Sequence, residues 1–205
     1  EENGQKPFGK AIQMALEEIL NIAKELGFKT YIDPEGYYGY AEIGEGEKLF
    51  GVLGHIDVVP AGDLAAWHTD PFELVEKDGK IFGRGTSDDK GPTLASMYAL
   101  KMVLDQGYKL NQRVRFIFGT DEESLWRCMK AYTAKEEMPS MGFTPDSSFP
   151  LNYAEKGLIE YYLEVDKGTD IRLQGGGALN AVPAKAVVDY DEKVEAALQS
   201  MNAKY

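Results

Sequence analysis

Two polar residues, His55 and Asp57, interrupt the apolar run VLGHIDVVPAG. Residues two apart on a β-strand face the same side, so these two side chains should lie together. An imidazole nitrogen is a good zinc ligand, and a neighbouring carboxylate can accept the other imidazole N–H and fix the ring tautomer. The pair therefore predicts half of a metal site, with His55 as a ligand and Asp57 orienting it.

Further carboxylates fall at transitions between predicted strands, helices and loops, where ligands gather in α/β sheets. They are Asp88 and Asp89 before a helix, Asp121, Glu122 and Glu123 after a strand, and Asp146 after the segment GFTP. One imidazole with several carboxylates suits zinc, or manganese or cobalt in the same place. Two such ions need a carboxylate that bridges them. Of the adjacent glutamates, one can bind metal while the other handles protons.

Each motif also has an ordinary structural explanation. A single His at a strand end is often a hydrogen-bonded structural residue. The DEES segment can be a helix N-terminus, SDDKG a loop with a helix cap, and TPD a turn. Their joint occurrence at one end of one sheet favours the metal site. We interpret His68 as a loop residue, and Cys128 as a buried helix residue rather than a nucleophile.

The elements that must position these residues can be predicted from hydrophobic periodicity. Residues 8–27 have apolar side chains at helical spacing, and two short strands follow around a Pro-Glu-Gly turn. The segments KLFGVLGHIDVV and QRVRFIFGTDEES are typical of strands covered on both faces. A hairpin with its turn at Asp78-Gly79 and a helix, GPTLASMYALKMVLDQGY, lie between them, and we expect that helix to be largely buried. The order predicts an α/β fold with a mostly parallel central sheet.

The pattern changes near residue 157. The segments GLIEYYLEVD and KAVVDYD are typical of strands, and DEKVEAALQSMNAKY is typical of a helix with Asp191 as a candidate N-cap. We expect a second, smaller domain to begin here.

Composition narrows the classes of function. The chain has 205 residues and a net charge of −12, which argues against binding nucleic acid or anionic membrane surfaces. It has one cysteine, so it can form no internal disulfide, which fits a cytoplasmic protein. We see no signal peptide and no apolar run of about 18 residues that could span a membrane. The oligomeric state is not determined by these features, although a monomer is favoured.

Several of these motifs, in this order, resemble the co-catalytic di-zinc metallopeptidases. They are GHIDVVPAG, GRGTSDDKGP, GTDEES, GFTPDSSFP and EKG. That family includes aminoacylases, glutamate carboxypeptidases and the ArgE and DapE deacylases. The combination of SDDKGP, GTDEES and TPDSSFP is most similar to the PepV-like Xaa-His dipeptidases.

The resemblance implies a three-layer αβα catalytic domain over residues 1–156 and the start of an α+β lid domain over 157–205. It implies two zinc ions and hydrolysis of dipeptides or short peptides by a metal-bridged water. The metal ligands that the resemblance implies are His55, Asp88, Glu123 and Asp146. Asp88 would bridge the two ions, and the peptide bond after it is often cis in the family. Glu122 would be the general base, Asp57 the carboxylate that orients His55, and Asn180 a substrate contact.

One part of the family pattern is missing. The family uses a further His from late in the chain, and no His follows His68 here. We therefore expect the sequence to be part of a longer chain, roughly half of a complete enzyme. Two alternatives stay open at this point. One is an N-acyl amino acid deacylase with the same metals, and the other is a non-catalytic fragment or relative.

Overall fold

The computed structural model describes residues 6–148, 150–157, 159, 173–176, 186–189 and 192–202. The chain divides into two compact units, Glu1–Asn152 and Tyr153–Tyr205. The assignment of these parts to a catalytic domain and the beginning of a lid stays a prediction.

The first unit alternates helices and strands. In chain order it contains α1 (Lys10–Glu25), β1 (Lys29–Ile32), β2 (Tyr38–Ile43), β3 (Leu49–His55), a short 3-10 helix (Leu64–Ala66), β4 (Val75–Lys77), β5 (Lys80–Phe82), α2 (Lys90–Asp105), β6 (Arg113–Gly119), α3 (Arg127–Lys135) and β7 (Met141–Phe143). The predicted hairpin is β4–β5, with Asp78 and Gly79 at positive φ in its turn.

Five strands form the central sheet in the order β1-β2-β6-β3-β7. Strands β6, β3 and β7 are parallel, whereas β1 and β2 pair antiparallel with each other and β2 with β6. The α/β class is confirmed, and the sheet is mixed rather than mostly parallel among the described strands. The tight Pro34-Glu35-Gly36 turn, with Gly36 at φ 83°, accounts for the antiparallel pairing of β1 with β2, because a turn this short can join only antiparallel neighbours.

Alternating side chains of β6 pack on opposite faces of the sheet. Val114, Phe116 and Phe118 join a core with residues of α1 and α2, such as Leu16 and Met97. On the other face, Ile117 packs with Tyr132 of α3. This arrangement gives the predicted three layers, with two helices on one side of the sheet and one on the other.

The prediction that α2 is largely buried is wrong. Its side chains Thr93 and Met97 are buried, whereas Tyr98 and Met102 are 49% and 64% exposed. Only the stripe that faces β3 is covered by other described residues, so the apolar sequence of this helix does not translate into burial on all sides.

The parallel pairing of β3 and β6 aligns the ends of the two strands. His55, the last residue of β3, lies opposite Gly119, the last residue of β6. One residue further on, the N–H of Ile56 donates to the carbonyl of Gly119 at 3.0 Å. The polar residues that follow both strands therefore leave the sheet at one edge, as the sequence predicted.

In the second unit, β8 (Leu173–Gly175) pairs antiparallel with β9 (Ala186–Val188), and helix α4 (Glu192–Asn202) follows. Strand β9 and α4 fall within predicted elements. The predicted strand GLIEYYLEVD, apart from Gly157 and Ile159, lies outside the described residues, and so does the candidate cap Asp191. Across the described part of the chain, none of the helices combines the length and apolar character that a membrane span requires.

Candidate metal centre and active site

The site is built around His55, which is only 2% exposed. Its Nδ1 lies 2.9 Å from the backbone carbonyl of Asp57 and 3.5 Å from the Asp57 carboxylate. A carbonyl can only accept, so Nδ1 carries a proton, and when the ring loses its second proton Nε2 is the nitrogen that keeps a free lone pair. This neutral tautomer is the one that metal binding through Nε2 requires.

Three carboxylates surround His55 Nε2. The distances are 3.0 Å to Asp88 Oδ1, 3.4 Å to Asp146 Oδ2 and 3.8 Å to Glu122 Oε2. They come from the segment just before α2, the loop after β7 and the loop after β6. The potential ligand atoms of His55, Asp88 and Asp146 all lie within 4.8 Å of one another, as do those of His55, Glu122 and Glu123. The structure thus brings together the residues that the sequence proposed as metal ligands and base.

The peptide bond between Asp88 and Asp89 is cis, which agrees with the expectation drawn from the resemblance. Asp88 has a side chain 54% exposed toward solvent, whereas Asp89 is fully buried. The two adjacent acids therefore occupy different environments, and only Asp88 points its carboxylate at the imidazole.

The protonation of His55 is dominated by its acidic neighbours. Burial alone would lower its pKa, but the hydrogen bond and charge of Asp57, with the charges of Glu122 and Asp146, outweigh burial and raise the pKa to about 10. In the absence of a metal the ring is therefore a cation that holds the carboxylates together.

The two adjacent glutamates both have raised pKa values. For Glu122 the largest cause is burial, followed by the opposing influence of His55 and then by the charges of Asp146 and Glu123. For Glu123 burial again comes first, and the charge of Asp88 second. A raised carboxyl pKa is what a general base near neutral pH needs.

Asp57 connects the two strand ends. Its Oδ2 accepts the backbone N–H of Glu123 at 3.0 Å, while its carbonyl and Oδ1 face His55. Burial would raise its pKa, but the hydrogen bonds from His55 and from the backbone of Glu123 and Glu122 lower it. Asp57 therefore stays ionised and orients both a candidate ligand and the loop that carries the glutamates.

Asp89 has a supporting role that sequence reasoning missed. Its Oδ2 accepts the backbone N–H of His55 at 3.2 Å and the hydroxyl of Thr93 at 2.7 Å, so it ties the end of β3 to the first turn of α2. The spacing of Asp89 and Thr93, one helical turn apart at a helix start, is the only signal in the sequence for this contact.

The remaining candidates lie apart from this cluster or outside the described residues. His68 is exposed and belongs to neither group of potential ligands. Cys128 is fully buried in α3, and burial raises the pKa of its thiol, which confirms its interpretation as a packed helix residue. Asn180 lies outside the described residues.

The donor set fits divalent metal ions. One neutral imidazole nitrogen and several carboxylate oxygens converge, which is the ligand chemistry of zinc and related ions. Among the residues that the structure describes, the buried Glu123 Oε1 has no hydrogen-bond partner. A buried carboxylate oxygen without a partner is costly, and a cation bound by Glu123 would satisfy it. The residues present therefore suit a metal centre.

Comparison with known proteins agrees with this chemistry. Residues 51–199 match the model of Peptidase family M20/M25/M40. "Putative dipeptidase YtjP" of Bacillus subtilis (strain 168) is 45% identical over 194 residues, which is 90% of this chain and 41% of that protein. "Putative dipeptidase" of Staphylococcus epidermidis (strain ATCC 12228 / FDA PCI 1200) is 40% identical over 205 residues, 95% of this chain and 43% of that protein. The chain thus spans about two fifths of the length of the curated relatives it matches.

Solved structures show the same fold. The M20 family metallo-carboxypeptidase Sso-CP2 from Sulfolobus solfataricus superposes with a TM-score of 0.57 at 27% identity, over 68% of this chain and 34% of that one. Aminopeptidase PepT from Bacillus cereus gives a TM-score of 0.52 at 22% identity, over 70% of this chain and 40% of that one, which is a likeness of fold alone. Because the family model covers most of the sequence, and because its motifs meet at one edge of the sheet, the chain belongs to Peptidase family M20/M25/M40.

Proposed function

We propose that the complete protein is a zinc-dependent dipeptidase that hydrolyses dipeptides or short peptides with a free N-terminus. The observation that carries the proposal is the environment of His55, whose Nδ1 is held by Asp57 while its Nε2 faces Asp88, Asp146 and Glu122 at 3.0–3.8 Å. The dipeptidase names of the relatives support the choice of substrate class. A cytoplasmic location remains a prediction from composition.

The residues would divide the work as follows. His55 and Asp146 would hold one ion, Glu123 the other, and Asp88 would contact both. Bound ions supply Lewis acidity toward the scissile carbonyl and the attacking water. Asp57 would keep the Nδ1 proton of His55 in place, so that Nε2 stays a ligand.

Glu122 is the proposed general base. Its side chain is 28% exposed, and its Oε2 lies 3.8 Å from His55 Nε2, so it faces the same space as the ligands while still reaching solvent. The raised pKa of Glu122 brings its proton affinity closer to neutral pH. Glu122 would accept a proton from the attacking water and then donate it to the leaving amine.

The experiment uses the complete protein equilibrated with micromolar zinc and freed of excess metal. A free dipeptide and an N-acetyl amino acid are offered separately, and bound zinc is counted by mass spectrometry. We expect two zinc ions per chain and hydrolysis of the dipeptide. Preferential hydrolysis of the N-acetyl amino acid would replace the dipeptidase with a deacylase, and absence of both zinc and turnover would refute the proposal.

The base is tested by Glu122→Gln, with Glu45→Gln as the control. Glu45 is an exposed glutamate that follows the last residue of β2, and this end of β2 lies beside the start of β6. The control therefore makes the same charge change at the opposite end of β6 from the candidate site. Glu122→Gln should keep its zinc and lose turnover by about 10²–10⁴-fold. If Glu122→Gln kept turnover within tenfold of Glu45→Gln, the assignment of the base would be wrong.

A further inference from the structure

The loop between β6 and α3 carries both glutamates, and Asp121 closes it. The backbone carbonyl of Asp121 accepts the N–H of Trp126 at 2.9 Å. Its side-chain Oδ2 accepts the backbone N–H of Arg127, also at 2.9 Å. Glu122 and Glu123 lie between these attachment points, so the loop cannot shift at its far end without breaking the contacts of Asp121.

The Asp121 carboxylate is held by a two-pronged contact. Arg127 donates from Nε to Oδ2 at 2.9 Å and from Nη2 to Oδ1 at 2.8 Å. The Asp121 side chain is 3% exposed, whereas that of Arg127 is 47% exposed and its guanidinium lies 4.8 Å from the centre of the Phe8 ring. Paired Arg–carboxylate hydrogen bonds fix orientation as well as charge, so this clamp defines the direction of the loop.

The loop needs such a clamp because of its backbone. Trp126 has φ 56° and ψ 26°, a left-handed conformation that residues other than glycine adopt only when their surroundings enforce it. The enforcing contacts are the Asp121 hydrogen bonds on either side of the Trp126 peptide. Without them, Trp126 would relax toward ordinary backbone angles and carry the preceding residues with it.

The opposite side of the loop is held by the metal centre itself, since Asp57 Oδ2 accepts the N–H of Glu123 at 3.0 Å. The loop that carries Glu122 and Glu123 is therefore held by hydrogen bonds at two places, to Asp57 on the side of β3 and to Asp121 on the side of α3. We propose that Asp121, clamped by Arg127, is a positioning residue that sets where Glu122 and Glu123 stand in the candidate active site. This inference rests on the proposed function for its catalytic consequence, though its effect on metal binding can be measured independently.

The test compares Asp121→Asn with Glu137→Gln in the complete protein. Glu137 also forms a paired contact with an arginine, at the other end of β6, where it accepts hydrogen bonds from Nη1 and Nη2 of Arg113 at 2.9 Å and 2.8 Å; its side chain is 48% exposed. Both substitutions remove one carboxylate charge from an Arg pair and keep the shape of the side chain. The readouts are the zinc dissociation constants, measured by competition with a chelating dye, together with kcat, KM and the urea midpoint.

We expect Asp121→Asn to weaken the zinc site that contains Glu123, and to lower kcat, by about 10–100-fold each, because supporting contacts of metal ligands have effects of that size. KM should stay within about threefold, since the Asp121 carboxylate is 3% exposed and its oxygens are bound by Arg127. Glu137→Gln should leave zinc affinity and kcat within about twofold of the wild type. This combination of results supports the positioning role.

A second pair of variants decides the matter if Asp121→Asn does not fold. Arg127 is half-exposed, so Arg127→Gln and Arg127→Lys should both fold, with zinc affinity falling in the order wild type, Arg127→Lys, Arg127→Gln. The inference is overturned if these variants match Glu137→Gln in zinc affinity and kcat, even when their urea midpoints fall. If the wild type binds zinc but hydrolyses no dipeptide, the proposed function fails while the zinc constants still decide the role of Asp121.

Discussion

Substitution of Gly54 by alanine should destabilise the fold at the point where β3 meets α2. A Cβ at residue 54 would lie 1.9 Å from Thr93 Oγ1 and 2.8 Å from Asp89 Oδ2. Thr93 is 1% exposed and Asp89 fully buried, so neither side chain can turn outward to make room. The added methyl must therefore displace the first turn of α2 or break the hydrogen bond between Thr93 and Asp89.

The size of the effect follows from two contributions. Forcing a methyl into a packed interior costs about 1–3 kcal/mol. Separating Thr93 from Asp89 leaves a buried carboxylate oxygen short of a donor, at a further cost of about 1–3 kcal/mol. Replacing glycine with alanine lowers the conformational entropy of the unfolded chain, which offsets about 0.4–1 kcal/mol of this loss of unfolding free energy. The net loss of unfolding free energy should be about 1–5 kcal/mol, a large share of the roughly 5–15 kcal/mol of an ordinary domain.

The measurement is urea unfolding in metal-free buffer, followed by the fluorescence of Trp67 and Trp126, which both lie in the first unit. Gly119→Ala is the matched control, because a Cβ there would meet its nearest neighbours at 3.5–3.6 Å, an ordinary contact, in the strand adjacent to β3. The reasoning would be refuted if Gly54→Ala lay within about 0.5 kcal/mol of Gly119→Ala in unfolding free energy.

Three further predictions concern metal binding and the core. Asp88→Ala should lower zinc content at both sites, because one carboxylate serves two ions; retention of one tightly bound zinc would contradict the bridging role. Zinc affinity should rise about tenfold per pH unit from about pH 6 to about pH 8. The reason is that the metal-free site holds a proton on His55, whose pKa is about 10, and zinc must displace that proton. Calorimetric titrations that gave the same zinc affinity at every pH would contradict this prediction. Glu42→Gln should lower the unfolding free energy by about 1–3 kcal/mol, because buried Arg115 donates a hydrogen bond to Glu42 at 2.7 Å. Glu47 is exposed, so Glu47→Gln is the control, and an equal loss of unfolding free energy in both variants would show that the Arg115–Glu42 pair contributes nothing.

The strand ends were predictable because their signal is local. The buried strands β3 and β6 are mostly apolar, and polar residues lie at the carboxyl end of each. The edge where His55 and Glu122 meet therefore follows from the parallel arrangement of the two strands. The antiparallel pairing of β2 with β6 was not predictable, because it depends on which side of the sheet is open to a further strand. The exposure of α2 also depends on what covers the helix rather than on its own sequence.

The contacts that support the site were harder to predict, because many of them involve backbone atoms, which every residue type has. The carbonyl of Asp57 lies closer to His55 Nδ1 than the carboxylate does, so the backbone supplies part of the orientation that the sequence assigned to the side chain. Similarly, an aspartate at position 121 could have been a further metal ligand as easily as a residue that holds the loop. Only the bonds from Arg127 distinguish these possibilities.

The pairing of β3 with β6 explains why one residue can serve both halves of the proposed chemistry. Asp57 leaves β3 next to the end of β6, so its carbonyl reaches the imidazole while its Oδ2 reaches the backbone of Glu123. A slip of one residue between these strands would move the loop of the glutamates by about 3.3 Å relative to His55, more than a hydrogen bond can span. The register His55↔Gly119, held by the buried side chains of both strands, is therefore as important to the site as the ligands themselves.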